Sequence, residues 1–247
     1  MAKKWHDDDS FWETFEPTLF GQKLMAGTSD EVDNIIKLLD MRNDAHILDL
    51  CCGLGRHSLE FARRSFSVTG VDITAKYIEE AKAGSSSEGL DVEFVIDDAR
   101  SFCRENAFDV ALNMSTSFGY FEDPTEDIKV IENIYASLKP SGKFAIDLMG
   151  KESLAQFFQE RDWHEEDGVV LLSERKISDN WSTIINRWIL LKDGQRYEKE
   201  FSLRLYSAYE LTELLKKSGF KDVTVYSDLD GSPYNLHAKR LIAVAQK

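Results

Sequence analysis

Between residues 29 and 149 the chain alternates short apolar runs with longer segments whose apolar positions recur every three or four residues. Short apolar runs are typical of buried strands, and the longer period is typical of amphipathic helices. The apolar runs predict five strands, at residues 47–50, 68–71, 92–96, 108–113 and 143–149. The longer segments predict helices at residues 29–39, 56–64, 74–83 and 125–138. Such alternation favours an α/β fold with a parallel, doubly wound sheet.

After residue 150 the pattern changes to consecutive strand-like segments with turn residues between them. Three such segments, at 168–178, 181–191 and 196–207, predict a small antiparallel β insertion. A helix at 208–218 ends at Gly219, and strands at 221–226 and 240–246 follow. The link between these last strands suits a hairpin, so we expect a seven-stranded sheet whose last strand is antiparallel.

Several segments between these elements have loop-like sequences. Residues 84–89 predict a flexible loop, residues 139–142 a turn and residues 162–167 a solvated loop. Ser29 or Asp30 is expected to cap the first amphipathic helix, and Thr74 the third. We expect the tryptophans of the later half to pack the insertion against the core: Trp163, Trp181 and Trp188.

The N-terminal segment carries five aromatic residues ahead of the first strand, namely Trp5, Phe11, Trp12, Phe15 and Phe20. Residues 5–28 could form a helix packed on the flank of the domain, or a lid that covers a ligand and supplies apolar walls. We expect one domain over residues 1–247. Its parts are a helical lid or flank (1–44), a cofactor-binding core (45–150), the β insertion (168–207) and a C-terminal helix and hairpin (208–247).

Composition narrows the possible partners. The chain has 247 residues and a formal net charge of -14, which argues against a nucleic-acid substrate and against binding to acidic membranes. Its three cysteines and its N-terminus, which lacks an apolar signal core, indicate a reducing cytoplasm. The adjacent Cys51 and Cys52 lack the spacing of a zinc site or disulfide, so we expect no metal.

The first strand leads into a glycine turn that precedes a helix. Gly53 and Gly55 let the backbone approach a ligand at the helix N-terminus. Asp72 follows Gly53 by 19 positions, near the spacing of an acid that accepts hydrogen bonds from ribose hydroxyls. Because parallel strands share one carboxyl edge, Asp49, Asp72, Asp98 and Asn113 should lie together there.

These motifs resemble those of class I S-adenosylmethionine-dependent methyltransferases. The matching segments are Leu48-Asp-Leu-Cys-Cys-Gly-Leu-Gly-Arg56, Val71-Asp72, Asp97-Asp98-Ala99, the strand at 108–113, Leu138-Lys-Pro-Ser-Gly142 and the terminal Gly219-Phe220 with its hairpin. The resemblance covers residues 45–247 and implies a Rossmann-like fold. The run at 113–121 and the insertion ending in Arg204-Leu-Tyr206 are similar to a group of small bacterial and archaeal methyltransferases. The insertion is also similar to that of sugar and glycine N-methyltransferases.

The resemblance implies that S-adenosyl-L-methionine is the cofactor and S-adenosyl-L-homocysteine the product. It places Asp49 and the turn from Gly53 to Gly55 at the methionine amino end. Asp72 is implied to bind the ribose, Asp98 and Ala99 the adenine, and Asn113 to lie beside the sulfonium. Cys51 and Ile73 complete the expected cofactor-binding set.

Cys51 stands where the family usually has glycine. A positive φ there would cost about 1 kcal/mol and alter the loop.

A dinucleotide-binding turn is the alternative to a methyl-donor site, since Ser58 takes the third place of the glycine pattern. Asp49 at the mouth of the strand repels a pyrophosphate and attracts an ammonium or sulfonium, which favours the methyl donor.

The candidate catalytic residues are Tyr120, Arg204 and His237. Tyr206 is a further candidate polar positioner of the acceptor. Tyr120 could instead only close the donor pocket, and His237 could be an exposed loop residue. Arg204 could clamp an acceptor carboxylate or phosphate, or face solvent. His57 is expected to cap or pack its helix.

We expect methyl transfer to nitrogen or oxygen of a small polar acceptor. The alternatives are a macromolecular acceptor, protein or RNA, and a non-catalytic S-adenosylmethionine-binding regulatory partner. The sequence leaves open whether the chain is a monomer or a homodimer.

Overall fold

The computed structural model describes residues 4–247, which form eleven strands and eight α-helices. The strands are β1 (His46–Leu50), β2 (Ser67–Asp72), β3 (Glu93–Ile96), β4 (Phe108–Asn113), β5 (Leu138–Leu148), β6 (Arg161–Glu166), β7 (Val169–Ile177), β8 (Thr183–Lys192), β9 (Gln195–Arg204), β10 (Lys221–Tyr226) and β11 (Leu241–Gln246). The helices are α1 (Asp9–Leu19), α2 (Gln22–Ala26), α3 (Thr28–Leu38), α4 (Arg56–Arg63), α5 (Ala75–Glu88), α6 (Pro124–Ser137), α7 (Lys151–Phe157) and α8 (Ala208–Lys217). A short 3-10 helix, Trp5–Asp7, precedes α1.

Seven strands form the main sheet in the order β10-β11-β5-β4-β1-β2-β3. Neighbouring strands are parallel except β11, which runs antiparallel to both β10 and β5. Helices α6 and α8 pack on one face of this sheet, and α3 and α4 pack on the other. The predicted α/β, doubly wound, seven-stranded fold is confirmed. The carboxyl ends of the parallel strands meet at one edge.

The β insertion is a separate antiparallel sheet in the order β6-β7-β8-β9. It has four strands rather than three, because β6 lies where a solvated loop was predicted at residues 162–167. This edge strand is largely exposed and pairs only with β7, so it lacks the apolar alternation of a buried strand. Trp163 and Trp181 are exposed, contrary to prediction, whereas Trp188 packs on Phe11, Phe15 and Phe201.

Three further boundaries differ from the predictions. Residues 84–88 continue α5, which ends at Gly89 with a φ of 67°, since the Ser85 hydroxyl donates to the Leu90 carbonyl and fixes the last turn. Residues 139–142 form a bulge inside β5, because Leu138 pairs with Phe108 and Lys143 with Val110. Helix α3 begins directly after Gly27, so neither Ser29 nor Asp30 caps it.

The side-chain cap predicted at Thr74 is also absent, although Thr74 does precede α5. Its backbone N–H instead donates to the Asp72 carboxylate. Helix α7, between β5 and the insertion, was not predicted. Within residues 4–247 no helix is long and apolar enough to cross a membrane.

Candidate functional site

A cavity lies between the carboxyl edge of the main sheet and the N-terminal segment. The predicted cofactor-binding residues that line it are Asp49, Cys51, Gly53, Asp72, Ile73, Asp98 and Ala99. The opposite wall comes from the N-terminal segment, through His6, Asp7, Trp12, Leu19, Phe20 and Leu24. The structure therefore brings together seven of the nine residues predicted to bind the cofactor.

Asp72 joins the end of β2 to the glycine turn. One carboxylate oxygen accepts a hydrogen bond from the Gly53 amide, and the other accepts one from the Thr74 amide, each at 2.9 Å. Burial raises the pKa of Asp72. Each oxygen keeps a free lone pair, so the group can still accept hydrogen bonds from a ligand in the cavity.

Asp49 lies at the end of β1 and is 2 % exposed. The Ser58 hydroxyl donates to one of its carboxylate oxygens at 2.6 Å, which joins β1 to α4. Asp49 thus brings a second carboxylate to the cavity beside Asp72.

Cys51 has a φ of 63°, so the residue that replaces the usual glycine adopts the left-handed conformation. Burial and the nearby Asp72, Asp49 and Asp98 carboxylates raise the pKa of its thiol, which therefore stays protonated at neutral pH. The same three carboxylates give the cavity a negative potential. A cationic ligand fits that potential better than an anionic one.

Asp98 is not free to face a ligand with both of its oxygens. The Arg100 guanidinium donates to both of them, with its Nε at 2.9 Å from each, and it also reaches Asp7 at 3.2 Å. Burial opposes ionisation of Asp98, but the hydrogen bonds from Arg100 hold its pKa below the usual value. Arg100 thereby ties this wall of the cavity to the N-terminal segment.

Gly55 and Asn113 lie outside the lining of the cavity, contrary to the expected contact. Gly55, with a φ of 74°, directly precedes α4, and a Cβ there would come within 2.9 Å of Phe94. Asn113 donates to the carbonyls of Leu50 and Ser117, at 3.2 and 3.1 Å. Both residues shape the backbone around the cavity.

Of the candidate catalytic residues, only Tyr120 lines this cavity. Its ring packs against Trp5 and Trp12, with centroids 5.0 and 5.9 Å away. Burial and the neighbouring Cys51 raise the pKa of Tyr120, so its phenol remains protonated at neutral pH. Tyr120 can therefore donate a hydrogen bond to a ligand, but it is not a base.

Arg204 and His237 do not reach the cavity, so the expectation that they lie beside the acceptor needs correcting. Arg204 donates through Nε to Asp127 at 3.0 Å, and through a terminal nitrogen to the carbonyls of Phe121 and Glu122. The Tyr206 hydroxyl donates to the same Asp127 oxygen at 2.7 Å. His237 is exposed in the link between β10 and β11.

Sequence reasoning missed a buried cluster at the start of α4. Arg56 and His57 both line the cavity, and both donate to one Glu31 oxygen, at 2.6 and 2.9 Å. Arg56 also donates to the Ser115 hydroxyl at 3.0 Å. Burial opposes ionisation of Glu31, yet His57 and Arg56 lower its pKa. The only available signal was the position of both residues directly after Gly55.

The N-terminal segment covers the cavity and is also packed on the flank. The Tyr77 hydroxyl donates to the Trp12 carbonyl at 2.6 Å, and Lys76 pairs with Glu16 at 3.0 Å. On its other side, Phe11 and Phe15 pack into the four-stranded sheet. The N-terminal segment thus packs on the flank of the domain and also forms one wall of the cavity, here called its roof. The two interpretations of residues 5–28 describe this one arrangement.

The known proteins that this chain resembles are methyltransferases. Residues 47–142 match the family described as "Methyltransferase domain". The chain is 26% identical over 207 residues to the putative methyltransferase YqeM of Bacillus subtilis, covering 81% of this chain and 83% of that protein.

Two solved structures share the fold. One is an S-adenosylmethionine-dependent methyltransferase from Clostridium acetobutylicum, with a TM-score of 0.78, 19% identity and coverage of 96% of this chain and 98% of that one. The other is CalS10 from Micromonospora echinaspora, an amino pentose methyltransferase bound to S-adenosylmethionine. Its TM-score is 0.68, with 19% identity and coverage of 95% of both chains.

Proposed function

We propose that this chain is a class I S-adenosylmethionine-dependent methyltransferase and that it methylates a small polar acceptor on nitrogen or oxygen. The observation that supports a small acceptor is the roof over the cavity. Residues of the N-terminal segment line the cavity opposite the carboxyl edge of the sheet, so the space for the reacting groups has walls on both sides rather than being a flat surface. Enclosure suits a small acceptor and disfavours a folded protein or RNA.

The donor S-adenosylmethionine supplies a methyl group on a positively charged sulfur. We propose that Asp49 binds its amino group, that Asp72 accepts from its ribose hydroxyls, and that Ile73 contacts the nucleoside. Asp98 and the Ala99 backbone are proposed to meet the adenine. The negative potential of these carboxylates suits the cationic donor.

Arg56 adds a role that the sequence did not suggest. Arg56 is 6 % exposed and lines the cavity, and Glu31 and Ser115 hold its guanidinium in place. We propose that its remaining N–H groups bind the donor's carboxylate, which a planar guanidinium suits well.

For the acceptor, we propose that Tyr120 positions the nucleophile through its protonated phenol, whose oxygen accepts a hydrogen bond from the acceptor's N–H or O–H and leaves the attacking lone pair free. Trp12 supplies an apolar wall beside it. The main contribution of the chain is then orientation, since the donor is intrinsically reactive and holding two reactants in line supplies much of the rate.

Calorimetric titration with S-adenosylmethionine and S-adenosylhomocysteine, with NAD as the control, tests the donor site. We expect micromolar binding of the first two and none of NAD. An acceptor screen that follows S-adenosylhomocysteine release then tests the acceptor class. Binding without turnover on any small amine or alcohol, but with turnover on protein or RNA, would contradict the small acceptor. Binding with no turnover at all would favour a regulatory subunit.

We further propose that residues 1–247 act as one domain in a reducing compartment such as the cytoplasm. All three cysteines are free thiols, which is consistent with that compartment. Analytical ultracentrifugation distinguishes the monomer from the homodimer.

A further inference from the structure

A second cavity lies under the four-stranded sheet. It is separate from the cavity at the carboxyl edge of the main sheet, which is called the donor cavity below. Its volume is 290 Å³. An apolar cavity of about 150 Å³ is enough to bind benzene, so this one has room for a two-ring molecule. The segment Ser115–Phe118 separates the two spaces: Ser115 and Ser117 line the donor cavity, whereas Thr116 and Phe118 line the second one.

The walls of the second cavity are mostly apolar and aromatic. Phe118 comes from the dividing segment, Phe157 and Phe158 from the end of α7, and Ile184 and Leu203 from β8 and β9. Phe157 is 58 % exposed and lies where the cavity reaches the surface. Aromatic side chains on several sides favour a flat ring as the occupant.

Two polar side chains of this wall make no hydrogen bond within residues 4–247. Asn186 lies in β8, is only 5 % exposed and lines the cavity, so its amide atoms keep contact with the cavity space. Its cross-strand neighbours are Arg175 and Phe201. Buried amides are normally hydrogen-bonded, because an unpaired one is costly. The fully buried Ser153 hydroxyl, also in the wall, likewise lacks a partner within the described chain.

The charged groups of the cavity are already paired. Arg175 contacts Asp162 at 3.0 Å, and Arg204 contacts the buried Asp127. A charged ligand would therefore find no unpaired countercharge here. A neutral ligand is favoured, and its polar edge should match an amide, which offers one donor and one acceptor side by side.

We propose that this cavity is a second small-molecule site, and that it binds a neutral, flat, two-ring compound whose adjacent N–H and C=O groups pair with the Asn186 amide. A bicyclic lactam has this chemistry. The site does not depend on the assignment of the donor cavity, because none of its wall residues is used there.

The probe for this site is 2-quinolinone, and its matched control is N-methyl-2-quinolinone, which keeps the rings and the carbonyl but lacks the N–H. Binding to the full chain is measured by calorimetry or saturation-transfer NMR. We expect the lactam to bind at least tenfold more tightly than its N-methyl analogue. Absence of lactam binding at millimolar concentration, or equal binding of both compounds, would overturn the proposal.

Asn186→Leu removes the amide at similar volume, and Ser202→Leu is the matched control on the other face of the same sheet. We expect Asn186→Leu to weaken lactam binding at least tenfold and to abolish the preference over the N-methyl analogue, while Ser202→Leu changes neither. The melting temperature of Asn186→Leu should equal or exceed that of wild type, because an unpaired amide is replaced. Unchanged lactam binding in a folded Asn186→Leu would place the ligand elsewhere and overturn the assignment. Should that variant not fold, the comparison of the two probes on wild type still decides.

Discussion

At the scale of single residues, the donor cavity depends on polar side chains at the ends of strands. Asp72 is the most constrained of them, because two backbone amides already fix its carboxylate. Side chains held in this way need little reorganisation when a ligand arrives. Substitutions at such positions should therefore change affinity directly.

Asp72→Ala should weaken binding of S-adenosylhomocysteine by about 1.5–3 kcal/mol, the magnitude of lost hydrogen bonds to a charged group. Calorimetric titration measures it. The control is Asp91→Ala, which removes an exposed carboxylate from the segment before β3 and should leave affinity unchanged. Equal affinities of wild type and Asp72→Ala would remove Asp72 from the site.

Cys51 and its neighbour Cys52 form a natural pair for measuring backbone strain. Where the backbone conformation suits alanine without strain, alanine is more stable than glycine by roughly 0.4–1 kcal/mol. At Cys51, with a φ of 63°, this order should invert, and Cys51→Gly should be more stable than Cys51→Ala by up to about 1 kcal/mol. At Cys52, whose φ is not positive, the ordinary order should hold. Urea unfolding of the four variants measures both differences, and an ordinary order at both sites would contradict the strain.

The sequence located strand-end residues well and their partners poorly. Asp49, Cys51 and Asp72 could be placed because apolar runs mark buried strands and the residues after them must lie at the common edge. The Arg56–Glu31 pair joins α4 to α3 across 25 positions, and no local pattern encodes such a contact. The interpretation of Arg204 as a substrate clamp is wrong for the same reason. Its partner Asp127 is 77 positions away in the sequence and meets Arg204 only in the folded chain.

At the scale of secondary-structure elements, the roof of the donor cavity is joined to both sheets. Its first residues include His6, which is 5 % exposed and contacts the Asp7 carboxylate at 3.0 Å. Burial lowers the pKa of His6, although Asp7 opposes the shift. The folded chain therefore holds this ring neutral in conditions where the unfolded chain protonates it.

That shift predicts how stability responds to acid. A depressed histidine pKa gives stability that is complete above the unfolded value near 6.5 and is lost as the pH falls below it. Between pH 7.5 and 5.5, wild type should lose more free energy of unfolding than His6→Phe, which keeps a ring but cannot titrate. The difference should not exceed about 1.4 kcal/mol per pH unit. Urea unfolding of both proteins at both pH values measures these losses. The charged neighbours Asp7, Arg100 and Lys4 are present in both proteins, so the comparison isolates the titration of His6. Equal losses in wild type and His6→Phe would contradict the prediction.

Arg204 joins β9 to α6 through Asp127, which is fully buried. Arg204→Ala should reduce the free energy of unfolding by about 3 kcal/mol, because it leaves a buried carboxylate with only the Tyr206 hydroxyl. The control is Arg187→Ala, since Arg187 pairs with Glu174 and Glu198 on the exposed face of the insertion and should cost about 1 kcal/mol or less. A stable Arg204→Ala variant with impaired turnover would instead restore Arg204 as a substrate residue.

The sequence pattern predicted the helices and strands that bury one face, because their apolar residues recur with a regular period. It missed a strand that buries neither face. Strand β6 lies at an exposed edge, so its residues carry no alternation to detect. The end of α5 contains Gly84 and three serines, which are typical of loops, yet burial of Ser85 and its hydrogen bond to Leu90 hold the helix. Tertiary contacts decided both cases.

At the scale of the whole molecule, the net charge of -14 sets the long-range field. A surface of this sign repels a polyanion and loses the counterion-release contribution to nucleic-acid binding. We expect no binding of ribosomal RNA fragments in a filter assay, even at low salt, and no stimulation of S-adenosylhomocysteine release by them. Tight binding that weakens steeply with added salt would reveal a basic patch and favour an RNA acceptor.

The position of β11 has a consequence for how the chain is made. This strand lies between β10 and β5, inside the main sheet, although it follows β5 by almost a hundred positions. During synthesis the edge of β5 must stay unpaired while the ribosome adds the insertion, α8 and β10. The nascent chain therefore carries an open, apolar sheet edge while about ninety further residues are added, and this edge is exposed to mispairing and aggregation until the closing strand emerges.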